Sequence, residues 1–120
     1  MQTVVELSTF IRACEREGLS QAEVTAIVDM IASNPEAGDM IVGTGGCRKV
    51  RVAKPGSGKS GGYRVITFFS GPTIPAFLIT IYGKGRKANL SDSERNALAG
   101  LTAELVEAYS ARVTKLRKQS

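Results

Sequence analysis

The apolar positions change their spacing along the chain, and the changes mark out elements. TVVEL (3–7) is a short β-branched run that predicts a strand. STFIRACEREG follows, with Phe10, Ile11 and Cys14 at helical spacing and Gly18 as the stop. In SQAEVTAIVDMIASNP, Ser20 and Glu23 form a capping box. Val24, Ile27, Val28 and Ile31 share one helix face, and Asn34-Pro35 ends the helix. GDMIVGTGG is glycine-rich and irregular. CRKVRVA then alternates, with Val50 and Val52 on one side and Lys49 and Arg51 on the other. GYRVITFFS and AFLITIYGK predict two more strands, the second apolar on both faces and therefore central. A last helix opens on a second capping box, Ser91 with Glu94. Its stripe is Leu98, Leu101, Leu105, Tyr109, Val113 and Leu116.

The resulting order is β-α-α-β-β-β-α. Consecutive strands on short turns predict an α+β fold. It has an N-terminal strand and helical hairpin, an antiparallel sheet of about four strands and a C-terminal helix. No repeat or linker divides the 120 residues, so residues 1–120 are expected to form a single domain.

AKPGSGKS (53–60) fits the loose phosphate-loop pattern [AG]-x4-G-K-[ST]. Its flanks do not fit. A phosphate-cradling loop follows a buried strand and opens a helix, whose N-terminus holds the phosphates. Here the strand before alternates, Gly61-Gly62 follows, and YRVITFF then predicts a strand. The stretch reads as the connection of a β-hairpin rich in turn residues.

Charge narrows the function. Residues 1–46 hold seven acids against Arg12 and Arg16. Residues 47–89 hold nine bases and no acid. Residues 90–120 are nearly balanced. A one-sign stretch of this kind is the footprint of a polyanion binder. The chain has no His, which removes the commonest metal ligand and the commonest base near neutral pH. No metal site and no cofactor is expected. Cys14 and Cys47 have neither disulfide-framework nor zinc spacing and read as buried thiols. Neither an export signal nor a membrane span is legible, so a cytoplasmic location is expected.

Three groups of cations stand out: Lys49, Arg51 and Lys54 along the first hairpin strand; Lys59 and Arg64 in and after the connection; and Lys84, Arg86 and Lys87 beside Tyr82. Like charges brought together this way destabilise a fold unless an anion neutralises them. RNA supplies both the anion and a nucleophile, the 2′-OH. Arginine forks suit the developing charge on the phosphorane, and a crowded Lys can move a proton. Tyr82 offers a ring for stacking and a phenol for proton relay. Such chemistry needs neither metal nor His, but it needs something to position the RNA.

The segments GTGGCRKVRVAKPGSGKSGGYRVITFF and LITIYGKGRKANLSDSE resemble the RelE-like toxins of bacterial type II toxin–antitoxin systems, closest to the HigB-type branch. The resemblance spans nearly the whole chain. It implies a ribosome-dependent, metal-independent endoribonuclease that cuts mRNA in the decoding site and is neutralised by a cognate antitoxin. On that resemblance the catalytic cations are Arg51, Lys54, Arg64 and Lys84. The RNA-contacting candidates are Lys49, Lys59, Tyr82, Arg86 and Lys87. A C-terminal Tyr serves in some members, but here Tyr109 falls on the apolar stripe, and no residue is assigned to proton transfer. Two other readings stay open: a ParE-like toxin that poisons gyrase by protein contact, and an RNA-binding module without catalysis.

Overall fold

The computed structural model describes residues 1–53, 62–83 and 90–119, with the side chains of the last helix as far as Ser110. Eight elements follow in order: β1 (Val4–Glu6), α1 (Ser8–Glu17), α2 (Gln21–Ser33), β2 (Asp39–Met40), β3 (Cys47–Val52), β4 (Tyr63–Phe68), β5 (Ala76–Gly83) and α3 (Asp92–Gln119). The expected α+β class, helical hairpin and C-terminal helix are all present.

The helix ends follow local chemistry. Gly18 takes a left-handed conformation (φ 75°) that lets its N–H reach back to Cys14 and Glu15 and close α1. Ser20 and Glu23 exchange side-chain and backbone bonds at the start of α2. On α1 the buried face is Phe10, Ala13 and Cys14, and Ile11 is 45% exposed. The adjacent pair Phe10-Ile11 turns through about 100°, so only one of the two can face the sheet.

The sheet order is β1-β5-β4-β3-β2. It differs from the expectation in two ways. The sheet is mixed, because β1 runs parallel to β5, pairing Val4–Glu6 with Ala76–Leu78. It also has a fifth strand, the two-residue β2, at the far edge beside β3. Both follow from the centrality of β5 and β3. Each needs a neighbour on its second edge, and the partner's identity is set by tertiary geometry that periodicity does not encode. Where β1 stops, α1 takes over along β5: the Thr9 hydroxyl donates to the Ile79 carbonyl.

Apolar residues on the two faces form separate cores. One face packs Val50, Val65, Leu78 and Ile81 against α1 and α2. The other packs Ile66, Phe68, Phe77 and Ile79 against the Leu98–Leu101–Leu105–Tyr109 stripe of α3. Tyr109 meets Phe77 edge-on at 5.1 Å between ring centres, which places it in the core. The segment after Val52 leads into antiparallel β4 and not into a helix, so the flanks of AKPGSGKS are those of a hairpin.

The irregular GTGG segment fastens α3 to the sheet. Thr44 is fully buried; its hydroxyl donates to the Ile41 carbonyl and accepts from the Cys47 N–H. The Thr102 hydroxyl lies 3.0 Å from both the Thr44 and Ala99 carbonyls. Gly45 sits at φ 75° with Thr102 where a Cβ would be, so only glycine fits. Thr102→Val should leave the Thr44 carbonyl without its side-chain donor and lower unfolding stability by roughly 1–3 kcal/mol. Urea denaturation measures this, and an unchanged midpoint would mean that the clamp is dispensable.

Burial pushes both thiols up to about 11. For Cys14 the Glu6 and Glu15 carboxylates add to the effect; for Cys47 the contact with Thr44 partly offsets it. A thiol with a raised folded pKa ionises first in the unfolded chain. The unfolded state therefore binds fewer protons between pH 9 and 11, and stability falls across that window. The wild-type denaturation midpoint should drop more steeply from pH 8.5 to 10.5 than that of a Cys14→Ala/Cys47→Ala variant; parallel curves would show that the thiols are solvated.

Candidate functional site at the open end of the sheet

β3, β4 and β5 end together. Val52 pairs with Tyr63, and Tyr63 with Gly83, so residues 54–61 and 84–89 are both attached at this one end of the sheet. Arg51 on β3 stands directly opposite Arg64 on β4, and Arg64 directly opposite Tyr82 on β5. Directly opposed residues on one face have Cβ atoms about 5 Å apart. The three form a row on the face covered further along by α3.

A β-bulge makes the row possible. Thr67 pairs with Leu78 and Ile66 with Thr80, so Ile79 is an extra residue in β5. The inserted residue reverses the in–out phase of everything after it. Leu78 and Ile81 thus share the α1–α2 face although they are three apart, while Ile79 and Tyr82 share the α3 face. Without the bulge, Ile81 would stand opposite Arg64 and Tyr82 would point to the other side. The apolar run AFLITIYG carries no mark of this insertion.

Arg51 is exposed and Arg64 half-buried. Both line a cleft of about 280 Å³ together with Val52, Ala53 and Gly62. Among the described residues neither guanidinium is paired with a carboxylate. Lys49 lies on the same face one row back, opposite Ile66. Tyr82 is 7% exposed and borders a second cleft with Arg16, Glu17 and Glu94. The structure therefore brings together Arg51, Arg64 and Tyr82, with Lys49 adjacent. Lys54, Lys59, Lys84, Arg86 and Lys87 lie outside the described residues.

One base of the positive stretch has a structural task. Arg48 points to the opposite side from Lys49, and its guanidinium donates to the Glu36 carbonyl at 2.9 Å, closing the turn before β2. Strand alternation was the available signal, since Arg48 shares parity with Val50 and Val52. Among the described residues no group of His, Cys, Asp and Glu is arranged to hold a metal ion, and no helix is long and apolar enough to cross a membrane.

The α+β fold thus sets Arg51 and Arg64 side by side where β3, β4 and β5 end together. The family model described as the RelE toxin of the RelE / RelB toxin-antitoxin system matches residues 2–120. The chain belongs to this RelE toxin family. It is thus the toxin of a toxin–antitoxin pair, with an antitoxin as its partner, in a family whose members are generally endoribonucleases.

Two opposed guanidinium groups with no carboxylate partner among the described residues repel, and the sheet holds them in register against that repulsion. Arg51→Gln should therefore raise stability at low ionic strength, by a few tenths to about 1 kcal/mol, with the gain shrinking in high salt as screening removes the repulsion from the wild type. Denaturation at 20 mM and 500 mM salt checks this; a loss of stability at low salt would mean that Arg51 has a stabilising partner.

Proposed function

We propose that the protein is a ribosome-dependent, metal-independent mRNA endoribonuclease of the HigB-like branch. In this reading residues 1–120 form one catalytic domain that acts in the cytoplasm and is silenced by a cognate antitoxin. The observation that carries the reading is the Arg51–Arg64–Tyr82 row, placed where the segments bearing Lys54 and Lys84 leave the sheet.

In the reaction the 2′-oxygen of one nucleotide attacks the adjacent phosphorus. The O2′–P bond forms, the P–O5′ bond breaks, the 2′ proton leaves with a base and the 5′-oxygen receives a proton. The products are a 2′,3′-cyclic phosphate and a 5′-hydroxyl. Arg64 sits between Arg51 and Tyr82, so it is the group assigned to the charge that develops on the non-bridging oxygens, with Arg51 beside it. Lys54 and Lys84 complete the catalytic set. Lys49, Lys59, Arg86 and Lys87 contact flanking phosphates, and Tyr82 forms the wall behind Arg64. The ribosome supplies the alignment of the 2′-OH with the leaving oxygen that cations alone do not impose.

A gyrase-directed toxin needs no such row of cations; a passive RNA binder would share the row but leave the message uncut. In a cell-free translation reaction, mapping of mRNA 5′ ends should reveal new ends only when ribosomes are present. Arg64→Ala, folded by circular dichroism, should lose at least about 10²-fold of that cleavage. Cleavage at the wild-type rate by the folded variant, or gyrase inhibition by a wild type that leaves messages intact, would overturn the proposal.

A further inference from the structure

The last row of the sheet faces away from the arginines. Val52 pairs with Tyr63 one residue beyond the Arg51–Arg64 pair, so alternation sends both toward α1 and α2. There they meet the start of α2 around an apolar cleft of about 190 Å³. Leu19, Ile27 and Met30 make its helix side, Tyr63 supplies an aromatic ring, and Ala26 stands exposed at the rim. Among the described residues Glu23 is the one charged side chain in its lining.

Val52 and Ala53 line both this cleft and the one that holds Arg51 and Arg64. The wall between the two is thus a single strand end. β2 accompanies β3 only as far as Lys49, and no described strand covers the edge beyond. A nucleotide reaching round that edge can leave its phosphate among the guanidinium groups and its base on the apolar side.

The chemistry of the apolar cleft suits a base and not a phosphate. Its carboxylate repels the backbone, and apolar walls with an aromatic ring match the faces of an unstacked base. Glu23 accepts the Ser20 N–H through Oε1 at 2.9 Å, which closes the capping box. A carboxylate has about four lone-pair sites, so the cap leaves it acceptor capacity and no donor. An acceptor-only group in that place selects a base with an exocyclic amine. It favours cytosine, whose N4 donates, over uracil, whose O4 would meet it lone pair to lone pair.

We propose that the cleft between α2 and the open end of β3 and β4 is a base-specificity pocket. It takes an amine-bearing base next to the phosphate held by Arg51 and Arg64, and Glu23 is its selecting residue. The proposal rests on the reading that the arginine cleft holds the message, and it gives that reading a source of sequence preference.

The test measures binding of the full chain to three uncleavable 2′-O-methyl hexanucleotides: oligocytidylate, oligouridylate and an abasic strand with the same phosphates. Wild type should bind oligocytidylate at least about 5-fold more tightly than oligouridylate. Glu23→Gln keeps the capping box, which accepts either residue, and should erase most of that preference. Ala26→Leu puts a strong helix former at an exposed site and fills the mouth of the pocket. It should weaken oligocytidylate binding at least about 5-fold, the lower end of what one stacked base contributes, and leave the abasic strand unchanged. Arg64→Ala should weaken all three. Binding that depends on Arg64 but is indifferent to base, Ala26 and Glu23 overturns the pocket and leaves the message-binding reading standing. An equal loss of the abasic strand in Ala26→Leu also overturns it. Unchanged RNA affinity in Ala26→Leu, with reduced copurification of the co-expressed antitoxin, would give the cleft to the protein partner and overturn it too. Strands bound equally well by Arg64→Ala and wild type would overturn both readings.

Discussion

Arg51 and Arg64 stand directly opposite each other on adjacent strands, with neither paired to a carboxylate among the described residues, and this unfavourable juxtaposition is the constraint on which the rest depends. Two guanidinium groups at hairpin spacing would turn apart on a flexible loop. Here they are fixed by the backbone ladder from Cys47–Phe68 to Val52–Tyr63, and that ladder is fixed in turn by apolar packing on both faces. In the proposed function, that repulsion is stored affinity for an anion: a phosphate entering the cleft would remove it and gain two forked contacts.

The supporting structure is arranged around that end of the sheet. α1 and α2 close one face, and α3 packs on the other. The Thr102 hydroxyl, donating to the Thr44 carbonyl, ties α3 to the segment that leads into β3. The bulge at Ile79 lets β5 satisfy both cores and still deliver Tyr82 beside Arg64. Arg48 shows the same economy in reverse. One base of the positive stretch is turned through the sheet to tie down a turn, and its neighbours Lys49 and Arg51 remain on the site's face.

Much of this was legible from residue pattern. Helical spacing and two capping boxes located all three helices, and alternation in CRKVRV placed Lys49 and Arg51 on one face. YRVITFF as a strand disposed of the nucleotide-loop reading of AKPGSGKS. The nine-base stretch contains Arg51 and Arg64, which the sheet sets side by side, and the resemblance to RelE-like toxins agrees with the family match over residues 2–120. What stayed hidden depends on distance in space. The parallel pairing of β1 with β5 joins segments some 70 residues apart, and two-residue β2 has no periodicity to read. A continuous apolar run conceals its bulge, because period-two alternation is visible only when one face is polar.

The central claim is that Arg51 and Arg64 act together as one phosphate receptor. Its most direct test is side-chain NMR of arginine Nε–Hε groups during titration with a 2′-O-methyl RNA hexamer. The Arg51 and Arg64 signals should shift along one common binding curve, and Arg48, tied to the Glu36 carbonyl, should stay in place. Stationary Arg51 and Arg64 signals at saturating RNA, or two unrelated curves, would contradict the account.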